Sequence, residues 1–393
     1  MNGESLLLLV IALCGTGALY AYAGVPAIAA VMTTIGRRRS SEPPAGASAS
    51  PPPVTVIVPA YNEERSLDAK IRNVLATEYP AELLDVIVVS DASTDRTDEI
   101  ARSFADRGVR LIVQETRAGK SAGLNRAMTM ARGEIVVFTD ANALYLPSTI
   151  PALIGRFERP RVGLVTGYTR YASAGGSDVA ETTNVYTSLE RLIKRAESRW
   201  GCCVGADGAL FAMRRSLFRP LRHDDINDLV LPLGVIEQGW ECVLADEAFC
   251  LEQPGASMDS EYRRQSRITN RTLRALWRHG RLLNPLRYGL FSFFLFSHKV
   301  MRFLVPVFLI AAFVSLILLA RVRPIYLAAA VLASAGLAAA LGVSRLGPGW
   351  SLPLRLLRAL GVFLTINAAV LEGWWTFLRG HREVVWQHDR SRG

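Results

Sequence analysis

Lysine is nearly absent from this chain of 393 residues. Only Lys70, Lys120, Lys194 and Lys299 occur among 45 basic residues, and the rest are arginines. Cysteine is scarce as well: Cys14, Cys202, Cys203, Cys242 and Cys250 form an odd set without paired Cys-x-x-Cys spacing. That spacing excludes a zinc ribbon or finger, and the five thiols read as reduced, as in a cytosolic domain. No internal repeat is visible, and no nucleic-acid-binding module, so nucleic acid is set aside as the reason for a net charge of +10. Many arginines lie near apolar segments, which points to a lipid surface and to phosphate groups.

Hydrophobic residues make up half of the chain and gather at its ends. Ser5 to Ile35 carries no charge and is long enough to span a bilayer core. Arg37, Arg38 and Arg39 follow at once, so the positive-inside rule points the N-terminus outward. A cleaved signal peptide fits poorly, because its charges would precede a shorter run. Residues 1–35 are therefore expected to be a transmembrane helix, and 36–53, rich in Pro, Ala and Ser, a flexible linker. At the other end, Tyr288–Lys299 predicts an interfacial helix within 286–300. Phe303–Ala320, Ile325–Ser344 and Ala359–Leu378 then supply two or three transmembrane segments over 301–380. Glu372 weakens the last of these, and a basic tail, 381–393, follows. The tail's arginines favour the cytoplasm, with Ala359–Leu378 interfacial or re-entrant.

Residues 54–285 read differently. Val54–Val58, Asp85–Val89, Val109–Val113 and Glu134–Phe138 are buried-strand patterns, with Val162–Thr166 a further one. Arg65–Ala76, Thr97–Ala105 and Lys120–Ala131 are amphipathic helices between them. This alternation predicts an α/β domain with a mostly parallel sheet and right-handed crossovers. After Gly176 the periodicity weakens.

Four strings punctuate the domain: Pro59-Ala60-Tyr61-Asn62-Glu63-Glu64, Ser90-Asp91-Ala92-Ser93-Thr94-Asp95, Phe138-Thr139-Asp140-Ala141-Asn142 and Arg263-Arg264-Gln265-Ser266-Arg267. The first three close apolar runs. They set acidic side chains at the carboxyl ends of neighbouring parallel strands, where open α/β sheets bind ligands. Such carboxylates suit a base, a ribose or a divalent cation, and downstream arginines suit phosphate.

In their order and spacing, with Gly119-Lys120-Ser121-Ala122-Gly123-Leu124-Asn125 between the second and third, these strings resemble the processive-type inverting glycosyltransferases. Cellulose, chitin and hyaluronan synthases belong to that family. The resemblance runs from Val54 to the end of the chain. It implies a GT-A nucleotide-sugar-binding domain, with Pro59, Tyr61, Glu63, Asp91, Asp95 and Lys120 around a UDP-linked donor. Asp140 would hold a Mg²⁺ or Mn²⁺ ion, helped by the carbonyl of Asn142, which stands where the family has a second Asp. Cys203, Gly205 and Asp207 would line the acceptor site. Leu229-Val230-Leu231-Pro232-Leu233 sets a register in which Asp228 matches the general base, with Asp224 or Asp225 as competitors. Arg264 and Arg267 would neutralise the leaving diphosphate. Arg264 replaces the family's Gln and Ile268 its Trp, which weakens a cellulose-like polymerase reading.

Simpler readings stand beside these. Asp95 caps a helix, Lys120 is a solvated lysine at a helix start, Asp207 bonds its own turn, and the arginines form a basic helix face. The expected activity is inverting transfer of a hexose or N-acetylhexosamine to a growing polysaccharide or glycolipid. Single addition to a lipid carrier is one alternative, and an inactive scaffold or translocation subunit another. The expected partners are a nucleotide-sugar donor, a carbohydrate or lipid-linked acceptor and the bilayer, without nucleic acid. The expected location is the inner membrane, with the catalytic domain facing the cytoplasm.

Overall fold

The computed structural model describes residues 2–35, 50–171, 178–252, 258–343 and 352–382. Most of the expected linker, 36–49, and most of the basic tail, 383–393, lie outside the described residues.

Strands β1 (Val54–Ala60), β2 (Leu84–Ser90), β3 (Val109–Val113), β4 (Ile135–Thr139), β5 (Leu144–Tyr145), β6 (Val162–Tyr171), β7 (Leu210–Arg214) and β8 (Glu241–Glu252) form one sheet. Its order is β3-β2-β1-β4-β7-β6-β8-β5. The run Val-Thr-Val-Ile-Val of β1 is buried throughout because helices cover both of its faces. Val54, Val56 and Val58 meet Leu67, Ile71 and Val74 on one side. Ile57 meets Leu124, Ala127 and Phe138 on the other, as period-two alternation requires. The helices expected between the strands form at Leu67–Leu75, Thr97–Arg102 and Lys120–Met130.

The sheet is mixed rather than mostly parallel. Strands β1 to β4 pair in parallel, and so do β6 and β8. Strand β7 runs antiparallel between β4 and β6, and β5 runs antiparallel to β8. An antiparallel neighbour has a consequence for position. Leu210, the first residue of β7, lies opposite Thr139, the last of β4. The turn entering β7 therefore arrives beside Asp140, whose amide points at the Ala209 carbonyl, 3.4 Å away.

Among the described residues, four helices are long and apolar enough to cross a membrane: Gly3–Ile35, Leu290–Leu319, Pro324–Val343 and Pro353–Leu378. The expected separate interfacial helix instead runs on into the second of these through a π-helical turn at Leu295–Val300. Its Phe291, Phe294 and Leu295 are buried against Val204, Leu229 and Leu233, so the α/β domain covers that face. Leu352–Leu378 is one helix through Glu372, not a re-entrant pair. It ends against the arginine helix Met258–Arg278. A Cβ at Gly373 would stand 2.5 Å from that of Thr269, and Asn270 donates to Thr376 Oγ1 at 2.9 Å. Arg274 donates to the His381 carbonyl at 2.6 Å, so the chain leaves this helix on the domain's side.

Candidate active site

The ends of β1 and β2 are laced together by their own polar groups. Asn62 and Ala92 both take positive φ, 53° and 55°, a region that residues with a Cβ rarely adopt. Asn62 accepts from the Thr94 amide at 2.8 Å, and Glu63 donates its amide to Thr97 Oγ1 at 2.8 Å. Asp95 accepts from the Thr97 amide at 3.0 Å and the Glu64 amide at 3.0 Å. It therefore caps the helix that follows and ties β1's loop to it. Asp91 is 8% exposed. Its carboxylate accepts from Gln114 Nε2 at 2.7 Å and from the amides of Ala118 at 2.8 Å and Gly119 at 3.1 Å. These bonds shape the loop that leads to Lys120. Pro59 lies in β1 two residues before Tyr61, and the Arg117 guanidinium stacks on the Tyr61 ring at 3.7 Å.

Beyond this rim the charges concentrate. Lys120 Nζ meets Asp140 Oδ1 at 2.6 Å and reaches toward the Gly208 carbonyl at 3.5 Å. Burial pulls the Lys120 pKa down, but the facing Asp140 outweighs it and leaves the ammonium above its ordinary value. Across Gly208 stands Asp228, in the first turn of helix Asn227–Glu237. A Cβ on Gly208 would lie 2.9 Å from Asp228 Oδ2, so only glycine leaves this carboxylate in place. Asp228 Oδ1 is buried without a hydrogen-bond partner among the described residues. Burial raises the Asp228 pKa against the pull of Lys120, Lys299 and Lys194. A partnerless carboxylate of raised pKa, at the foot of a cation-lined rim, is equipped to take a proton.

Residues 55–222 match the family described as glycosyl transferase family 2. This stretch is therefore similar to glycosyl transferase family 2. A probable glycosyltransferase of Bacillus subtilis, YdaM, is 24% identical over 63% of this chain and 64% of its own length. The poly-β-1,6-N-acetyl-D-glucosamine synthase of Staphylococcus epidermidis is 25% identical over 49% of this chain and 46% of its own. The chain thus spans less than two thirds of either relative. Among solved structures, the mannosyltransferase PcManGT from Pyrobaculum calidifontis, in complex with GDP-Man and Mn²⁺, superposes with a TM-score of 0.70. That match covers 94% of this chain and 99% of that one at 23% identity, and it shows a shared GT-A fold.

Several expected site residues sit elsewhere than expected. Cys203 is fully buried among Leu231, Val235 and Cys242 and cannot line an acceptor site. Burial holds its thiol well above the ordinary value. Asp207 spends its carboxylate on Thr169, amide and hydroxyl both at 2.8 Å, and on the Ala209 amide at 3.1 Å. It is a turn anchor beside the site. Gly205 is placed next to Asp228, whose carbonyl lies 3.6 Å from the position of its missing Cβ. Asp224 and Asp225, the competing bases, are both buried in ion pairs with Arg278. Arg264 pairs with Glu261 at 2.8 Å, and Arg267 follows three residues on along the same helix.

Two residues that carried no sequence signal belong to this centre. Glu252 ends β8, and burial together with Asp140 and Asp207 pushes its pKa up to about 8 against Arg264 and Lys120. Lys70 is fully buried under β4. It donates to Thr139 Oγ1 at 2.7 Å and to the Ala143 carbonyl, clamping the segment that carries Asp140 and Asn142. Among the described residues no three His, Cys, Asp or Glu side chains converge as a metal site. The oxygen donors Asp140 and Asn142, on the segment clamped by Lys70, fit a hard cation completed by phosphate oxygens.

Proposed function

We propose that this chain is an inverting transferase that moves a hexose or N-acetylhexosamine from a nucleotide sugar, UDP-linked, to a polysaccharide or glycolipid acceptor at the membrane. The observation that carries the reading is the meeting at Gly208: the Lys120–Asp140 pair on one side and the partnerless carboxylate of Asp228 on the other. Asp228 takes the acceptor hydroxyl proton as that oxygen attacks the anomeric carbon. The bond to the diphosphate breaks on the opposite face, and a single displacement inverts the centre. Lys120, Arg264 and Arg267 neutralise the charge that builds on the diphosphate. Asp140 and Asn142 would hold a Mg²⁺ or Mn²⁺ ion, which would supply Lewis-acid stabilisation of the leaving diphosphate's charge. Tyr61, the Asp91-shaped loop and the β1 end around Pro59 and Glu63 border the nucleotide.

The catalytic domain faces the cytoplasm of the inner membrane in this reading. The bond from Arg274 to the His381 carbonyl supports an end of helix Leu352–Leu378 on the domain's side. The deciding experiment is a panel of labelled nucleotide sugars given to membranes carrying the chain, with product mass and anomeric configuration measured. A product of retained configuration, or none from any donor, defeats the proposal.

A further inference from the structure

A cavity of about 300 Å³ opens between helix Asn227–Glu237, the loop before it and the end of the arginine helix Met258–Arg278. That volume reaches the range of small-ligand sites, about 300–1,000 Å³. Arg219, Arg222, Arg278 and Arg281 line it, against the carboxylates of Asp225 and Glu237. Glu237 is already held by Arg281 and by His279 Nδ1, each at 2.8 Å, while Arg219 stands off at 3.9 Å. Arg278 serves both Asp224, at 3.2 Å, and Asp225. Arg222 and Arg382 act on Arg278 as like charges, adding to the burial that lowers its pKa despite Asp224. Even with Asp224 counted, the cations of this wall outnumber its acids. Arg219 and Arg281 each keep 58% of the side chain exposed, open to a ligand.

The ends of two apolar helices fix the level at which this cavity stands. Its turn Gly280–Leu283 is tied to the start of helix Leu290–Leu319, where Ser292 Oγ donates to the Leu282 carbonyl at 2.7 Å. Helix Leu352–Leu378 ends nearby: Arg274, one turn before Arg278, donates to the His381 carbonyl at 2.6 Å. In the same stretch Trp277 is 81% exposed and Leu286 96% exposed, although Leu276 and Leu282 are buried. Arginines, a tryptophan and an apolar tip at the ends of membrane-crossing helices belong at the level of the lipid headgroups. The cytoplasmic leaflet presents anionic phosphates there. None of the four arginines is among the groups assigned to the donor diphosphate, Lys120, Arg264 and Arg267.

We infer that this cavity receives the phosphate headgroup of an anionic membrane lipid, bound by Arg219, Arg222 and Arg281, with Trp277 and Leu286 against its acyl chains. The inference rests on the reading that the apolar helices cross a membrane. Arginine suits the task because its planar fork pairs two phosphate oxygens at once, and charge-assisted bonds of that kind are the strong ones.

The test uses the full chain in neutral detergent, with bound lipid counted by native mass spectrometry. The probes are phosphatidylglycerol, phosphatidylcholine and glycerol phosphate. Phosphatidylglycerol is expected to bind ahead of either other probe by about tenfold or more, the worth of a charged hydrogen bond. R219Q/R222Q should erase that lead and R219K/R222K should retain most of it, with Tm in the same detergent as the control on folding. A photoreactive phosphatidylglycerol gives a measurement on the unaltered chain and should label peptides from 219–222 or 278–288. Equal binding of phosphatidylcholine, an unchanged lead in R219Q/R222Q, or labelling confined to other peptides overturns the inference. Glycerol phosphate binding as tightly as phosphatidylglycerol overturns the lipid source and leaves a site for a free phosphate. Flotation with vesicles of phosphatidylcholine alone separates the two readings. A chain that stays behind defeats the membrane reading and this inference with it, whereas one that floats without preferring phosphatidylglycerol defeats the inference alone.

Discussion

The two halves of the catalytic sheet treat their polar side chains in opposite ways. Around β1 and β2, Asp91, Asp95 and Asn62 are hydrogen-bonded to backbone amides, and the loops are finished before any ligand arrives. Around β7, β8 and helix Asn227–Glu237, Asp228 Oδ1 lacks a partner among the described residues, and the Glu252 pKa is pushed up to about 8. The first half is a rigid frame in which lost bonds cost stability. The second holds groups whose compensation arrives with substrates, so changes there cost turnover.

The largest effect that this contrast predicts is at Asp228. D228N should lower turnover by about 10²–10⁴-fold with little change in UDP affinity, measured by single-turnover transfer and equilibrium binding. Because burial raises its pKa, the acid limb of kcat/KM should fall above the ordinary aspartate range. Wild-type turnover by D228N would move the base elsewhere and dissolve the contrast. Next in size, D140A should mimic a chelator, each lowering transfer by about a hundredfold or more, since Lewis-acid stabilisation is worth several kcal/mol. Full activity in chelator would leave charge neutralisation to Lys120, Arg264 and Arg267.

A stability effect of opposite sign is expected at Glu252. Its pKa rises from 4.5 to about 8 on folding, so the folded state prefers the protonated acid. That preference contributes fully below pH 4.5 and is lost as pH rises through about 8. E252Q, which keeps the neutral shape, should match the wild-type Tm at pH 4.5 and exceed it at pH 9. Equal Tm values at both would show that Glu252 is solvated rather than crowded. The smallest effect belongs to the finished half. D95A removes a helix cap and should cost about 1 kcal/mol, a Tm shift of a few degrees, with UDP affinity nearly intact. A loss of UDP affinity beyond tenfold would make Asp95 a nucleotide contact and blur the contrast.

The sequence by itself determined the strands of the nucleotide half, the apolar helices at both ends and the acidic strings at the strand ends. Each is a local signal, carried by side-chain period, run length or a turn residue, so contiguous residues suffice to read it. Tertiary structure decided the rest. Antiparallel β7 brought Gly208 between Lys120 and Asp228, residues far apart in the chain. It buried Cys203 in the core, engaged Asp224 and Asp225 with Arg278, and crowded Glu252 against Asp140 and Asp207. It also set Lys70 under the Asp140 segment and Lys299 beside Gly205 and Asp228. The physical reason is range: a side chain's period reports whether it is buried, whereas its partner and its pKa depend on which distant strand or helix packs against it.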